Sequence, residues 1–79
     1  RQQAAEKTRP IKKALEQTEA RMAELTATKT RIEESLCKPL PATELAEAGR
    51  QLKAASAELD ELEVTWLGLS EQLEQAMAA

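Results

Sequence analysis

The sequence predicts an all-α fold, a two-helix antiparallel coiled-coil hairpin, and three observations carry that expectation. A seven-residue repeat sets Thr8, Ile11, Leu15, Thr18, Met22, Leu25, Lys29, Ile32 and Leu36 at alternating steps of three and four. A second repeat sets Leu45, Ala48, Leu52, Ala55, Leu59, Leu62, Trp66, Leu69, Leu73 and Ala76 in the same way. Between them lies a break with two prolines, Pro39 and Pro41. Each repeat forms one stripe on an α-helix, and the two stripes leave water by packing on each other.

The chain reads as a single coiled-coil domain over residues 1–79. Helix one is expected over about 8–37. Thr8 can cap it, and Pro10 fits a first turn because its missing N–H is not needed there. Alternatively, residues 1–7 continue a helix from upstream and Pro10 lies inside it. The turn is expected over 38–43, where the prolines stop the helix. Thr43 is the expected N-cap of helix two, and Glu44 puts negative charge at its dipole-positive start. Helix two is expected over about 44–77. Arms of this length make a rod on the order of 50 Å long.

One alignment about the turn serves the whole seam. It pairs Leu36 with Leu45, Met22 with Leu59 and Leu15 with Trp66. Beside the seam it sets Arg21 opposite Glu58, which is favourable, and Glu19 opposite Glu63, which is not. A monomeric hairpin follows from the short turn, although a swapped dimer would satisfy the same seam.

Composition excludes most chemistry. There is no His, so the commonest general base and transition-metal ligand are missing. No catalytic, cofactor-binding or metal residue is expected. The adjacent carboxylates Glu33-Glu34 and Asp60-Glu61 diverge by about 100° on a helix and do not converge on a cleft. There is no Gly-rich phosphate loop. The lone Cys37 cannot form an internal disulfide and fits a reducing, cytoplasmic setting. No apolar run approaches the roughly 20 residues that span a bilayer. The chain begins at Arg1 rather than at Met, so a piece of a larger protein is expected.

Charge divides between the arms. Residues 1–40 carry nine Lys/Arg against six Glu, a net +3, and residues 41–79 carry two against eight, a net −6. A basic arm beside an acidic arm favours folding back, and some of the basic charge is expected to be neutralised within the chain. The nucleic-acid contact candidates are Lys7, Arg9, Lys12 and Lys13 toward the open end, and Arg31, Lys38, Arg50 and Lys53 toward the hairpin. Their warrant is the attraction of Lys and Arg to phosphate through counterion release. The competing reading is a solvated helix face, since no aromatic interleaves them for base stacking. Val64, Trp66 and Leu67 are the protein-docking candidates. By register Trp66 anchors the seam, while Val64 and Leu67 fall on the outer surface beside it.

Two stretches carry a family resemblance. One is Arg9-Pro10-Ile11-Lys12-Lys13-Ala14-Leu15-Glu16, followed by a long arm and a Pro-containing turn. The other runs Glu58-Leu59-Asp60-Glu61-Leu62-Glu63, then Trp66-Leu67, then Leu69-Ser70-Glu71-Gln72-Leu73-Glu74. Together they resemble the C-terminal domain of ABC-F ATP-binding cassette ATPases of the Uup/YheS-like kind, over nearly the whole chain. The resemblance implies a non-catalytic accessory domain that contacts DNA or ribosomal RNA. The parent's two nucleotide-binding domains would bind ATP and Mg and hydrolyse the ATP, without a membrane domain, and many such proteins act on the ribosome in translation. It maps the family's basic start to Arg9, Lys12 and Lys13 and its anchor to Trp66. This chain departs from the family in its Pro-rich tip and its acidic second arm. The alternatives are a protein-interaction or spacer coiled coil, docking through Val64, Trp66 and Leu67, and a generic structural coiled coil.

Overall fold

A computed structural model describes the backbone over residues 2–78 and the side chains over residues 6–78. Helix α1 spans Gln2–Leu36 and helix α2 spans Ala42–Ala78. They pack on each other to form a rod of 59 × 14 × 14 Å. Among the described residues there is no strand.

The heptads become the seam. Leu25, Ile32 and Ala55 are its buried apolar residues, and Thr8 and Thr18 are buried with them. The remaining repeat positions, Leu45 apart, are half-buried, as expected when two helices share one interface and each keeps an open side. Thr18 satisfies its hydroxyl locally, donating from Oγ1 to the Ala14 carbonyl at 2.8 Å. A buried Thr on the stripe therefore leaves no polar atom stranded. Lys29 is half-buried, as a stem lying along the seam requires.

Three expectations about the ends are corrected. Helix α1 starts at Gln2, not near Thr8, and runs through Pro10. The residues before Pro10 include Ala4, Ala5, Glu6 and Lys7, all good helix formers, so only one backbone bond is sacrificed at the ring. The N-cap of α2 is Pro41 rather than Thr43: the Pro41 carbonyl accepts from the Leu45 N–H at 2.9 Å, and Thr43 lies inside the first turn. Glu44 does occupy that turn, near the helix dipole's positive end. Finally, Leu45 is 51% exposed rather than packed in the seam. It sits in the first turn of α2, at the hairpin end of the interface.

The other side of the turn is tightened by short-range bonds. Cys37 N–H donates to the Glu34 carbonyl and Lys38 N–H to the Ser35 carbonyl, each at 3.2 Å. These bonds satisfy two of the carbonyls that a helix C-terminus leaves without partners. Pro39 then bars Lys38 from continuing the helix.

Candidate functional site

Two surfaces stand out from the rod, and they differ in sign. The first belongs to α1 near the open end. Residues 7–13 contain Lys7, Arg9, Lys12 and Lys13 and no acidic residue. All four cations are exposed. Arg9, Lys12 and Lys13 lie three and four residues apart, so they share one helical ridge. With Thr8 and Glu16 they line an open depression of about 480 Å³.

Ion pairing separates these cations from Arg21 and Arg50, and clustering separates them from the other unpaired ones among the described residues. Arg21 is fully engaged. Its Nε donates to Glu58 Oε2 at 2.7 Å, its Nη2 to Glu58 Oε1 at 3.0 Å, and its Nη1 to Glu24 Oε2 at 3.0 Å. The paired hydrogen bonds from Arg21 hold the Glu58 carboxyl below its ordinary range, and the same bonds raise the guanidinium's own pKa. Arg50 pairs with Glu47 at 2.9 Å, and Gln51 Nε2 donates to the same carboxylate at 3.2 Å. Those two bonds, Arg50's first, hold Glu47 low. By contrast, among the described residues no carboxylate lies within ion-pair distance of Lys7, Arg9, Lys12 or Lys13. The expected neutralisation of the basic arm by the acidic one thus reaches Arg21 and stops there. The cause lies in the register: Arg9 and Lys13 face away from α2, while Lys7 and Lys12 flank the seam but have uncharged Gln72 and Ser70 opposite them rather than a carboxylate.

The hairpin-end candidates are not gathered in the same way. Arg31, Lys38 and Lys53 are exposed and unpaired among the described residues, while Arg50 is committed to Glu47. The depression nearest the turn is lined by Ser35, Leu40, Glu44, Glu47, Ala48 and Gln51, with no cation among them.

The second surface lies midway along the rod. Val64 is 71% exposed and Leu67 57%, as their outward register requires. Trp66 is half-buried, and its indole Nε1–H donates to Glu19 Oε2 at 3.3 Å. Glu19, Met22, Glu63, Trp66 and Leu67 line an open depression of about 540 Å³. Sequence reasoning set Glu19 opposite Glu63 but missed that the two carboxylates wall one apolar hollow and that Glu19 holds the indole. The signal was present in the direction of the side chain. A helical residue leans toward its own N-terminus, and along an antiparallel partner that lean carries Trp66 from Leu15 toward Glu19.

Among the described residues no group of three or more His, Cys, Asp or Glu is placed to hold a metal ion. Glu33, Glu34, Asp60 and Glu61 are all exposed. No helix among the described residues is long and apolar enough to cross a membrane. What the geometry can do is bind: phosphate or another anion at one surface, and a protein at the other.

Comparison with known proteins agrees with an accessory role. The family model of the ABC transporter C-terminal domain matches residues 7–71, well over half of the chain, and the chain belongs to that family. No curated protein and no solved structure matches it. The match begins at Lys7 and so takes in the cationic ridge, both helices and Trp66. An accessory C-terminal domain of an ABC protein is not itself the catalytic part.

Proposed function

We propose that this domain is the nucleic-acid-touching arm of an ABC-F-type ATPase of the Uup/YheS-like kind. The cationic ridge of α1 grips the phosphate backbone of DNA or ribosomal RNA, and the parent's nucleotide-binding domains bind ATP and Mg and supply hydrolysis. Arg9 offers a planar fork suited to two phosphate oxygens, and Lys12 and Lys13 act as mobile point charges beside it. Lys7 adds charge close by in the chain but lies off the ridge, two residues before Arg9. No base-reading group accompanies them, so the contact is with backbone rather than sequence.

The observation that carries this reading is the clustering of unpaired cations at residues 7–13, since Arg31, Lys38 and Lys53 are unpaired too among the described residues but scattered. The chain has fourteen acidic residues and a net charge of −3, so carboxylate partners are plentiful. Arg21 and Arg50 have taken theirs, yet four cations within seven residues have none among the described residues. Arg9, Lys12 and Lys13 crowded on one ridge repel one another, and a polyanion relieves that cost.

Fluorescence anisotropy of labelled duplex DNA and of structured RNA, titrated with the domain at low and physiological salt, tests the proposal. Salt-sensitive binding that Lys12→Gln/Lys13→Gln weakens is expected, and the preferred polymer identifies the target. Absence of binding to either at low salt refutes it.

A further inference from the structure

The hollow between Glu19 and Glu63 shares no lining residue with the cationic ridge and plays no part in phosphate binding. Its construction is unusual for a solvated helix surface. The floor is apolar, from Met22, Trp66 and Leu67, and exposed Val64 lies just beside Trp66 in the chain. The walls are two carboxylates, and among the described residues neither is ion-paired to a cation. Glu19 is held in place by the indole N–H at 3.3 Å, so its remaining oxygen is presented rather than mobile.

We propose that this hollow is a docking site for a basic amphipathic segment of a partner protein. The segment sets a Lys or Arg between Glu19 and Glu63 and an aliphatic side chain against Trp66, Leu67 and Met22. Charge complementarity selects this occupant. A nucleic acid is repelled by both walls. A purely apolar segment would strip water from two carboxylates without giving them a partner, which is costly. A segment with a cation beside an aliphatic group satisfies floor and walls together, and the indole in the floor adds a favourable cation–π contribution. The volume of about 540 Å³ holds a few side chains, so the contact is that of a weak or transient interface.

The chain carries one Trp and no Tyr, so tryptophan emission reports on this hollow directly. The probe is a helical peptide of about 18 residues, Leu on one face at helical spacing and Lys elsewhere, with a twin in which Glu replaces Lys. The Lys/Leu peptide should shift the emission saturably, and the Glu/Leu twin should not. Glu19→Gln/Glu63→Gln should weaken binding by about tenfold, two carboxylates each contributing a few-fold. After Glu19→Gln the new side-chain amide oxygen still accepts from the indole, so the fold is kept. Glu71→Gln/Glu74→Gln makes the same change of net charge outside the hollow and should leave binding within about twofold. Leu67→Ser, at an exposed position, should weaken binding without loss of helicity. Equal losses in the two double variants would mean diffuse attraction to an acidic domain and would overturn the proposal. So would binding of the Glu/Leu twin, or an emission shift on concentrating the domain alone, which would make a second copy the occupant.

Discussion

Salt dependence is the sharpest test of the proposed nucleic-acid contact, and its expected size follows from counting. Arg9, Lys12 and Lys13 are exposed, unpaired among the described residues and share one ridge, which offers three phosphate contacts. On duplex DNA each contact contributes about −0.9 to the slope of log K against log salt, so three give about −2.7. A rise from about 50 to 200 mM salt then lowers affinity by roughly 40-fold. Lys12→Gln/Lys13→Gln leaves one contact, reducing the slope to about −0.9 and the loss to roughly 3- to 4-fold. Gln is nearly as good a helix former as Lys, and both positions are exposed, so the fold is not at issue. The assay is anisotropy of a labelled duplex at four or five salt concentrations, for the parent domain and the variant. Arg31→Gln/Lys53→Gln is the control, since those cations lie toward the hairpin. If the control flattens the slope and Lys12→Gln/Lys13→Gln does not, the contact is at the wrong end of the rod and the reasoning from ion pairing fails.

The seam, the helices and the one inter-helix ion pair make further predictions. Leu25 is 6% exposed, and Leu25→Ala should cost about 2–3 kcal/mol, the low end for a core Leu because a two-helix seam closes more readily around a void. Thermal unfolding followed by circular dichroism should show a drop of roughly 10–20 °C. Leu45→Ala, at a residue 51% exposed, should cost less than about 1 kcal/mol, and equal losses would contradict its place outside the packed seam. A Cβ added at Gly49 meets nothing within 4 Å, so Gly49→Ala should stabilise α2 by about 0.5–1 kcal/mol in the same melt. Glu58 has a depressed pKa in the folded chain, so its contribution is full above the ordinary value of 4.5 and is lost as pH falls through the depressed one. The melting temperature of the parent should therefore exceed that of Glu58→Gln at neutral pH, and the gap should close on acidification below 4.5; a gap that widens would reverse the assigned sign.

Most of the architecture was legible because the heptads constrain it twice, once through the stripe on each helix and once through a single register for both. Arg21 and Glu58 illustrate the second constraint. Nothing local links residues 37 apart, yet the alignment brings them together, and they meet at 2.7 and 3.0 Å. Buried Thr8 and Thr18 lie on the same stripe for the same reason. The ends were harder to read. Rules for Pro in a helix are rules of average cost, and at Pro10 one lost bond is outweighed by a long helix that is otherwise continuous. Thr43 had the side chain of a cap, but Pro41 had the place, because the path of the turn decides which carbonyl meets the Leu45 N–H. The ridge was legible as composition, and its unpaired state was not, because that depends on which cations can reach across to α2.

Division of charge between the arms explains how the two proposed binding surfaces can coexist on one domain. Had the basic and acidic arms neutralised each other along their length, the rod would have presented neither a cationic ridge nor an acidic hollow. The heptad repeat prevents this. It reserves the facing positions for apolar side chains and leaves few flanking positions from which an ion pair can bridge the helices. Arg21 with Glu58 is the bridge formed among the described residues. Arg9 and Lys13 face away from α2, and the register sets uncharged Ser70 opposite Lys12, so the second arm's net charge of −6 does not neutralise them. Screening completes the separation: at physiological salt the Debye length is about 8 Å, shorter than two turns of helix, so the hollow's carboxylates weaken the ridge only modestly. A net-negative domain can therefore hold a polyanion at one place and a cationic protein segment at another, and net charge is a poor guide to what it binds.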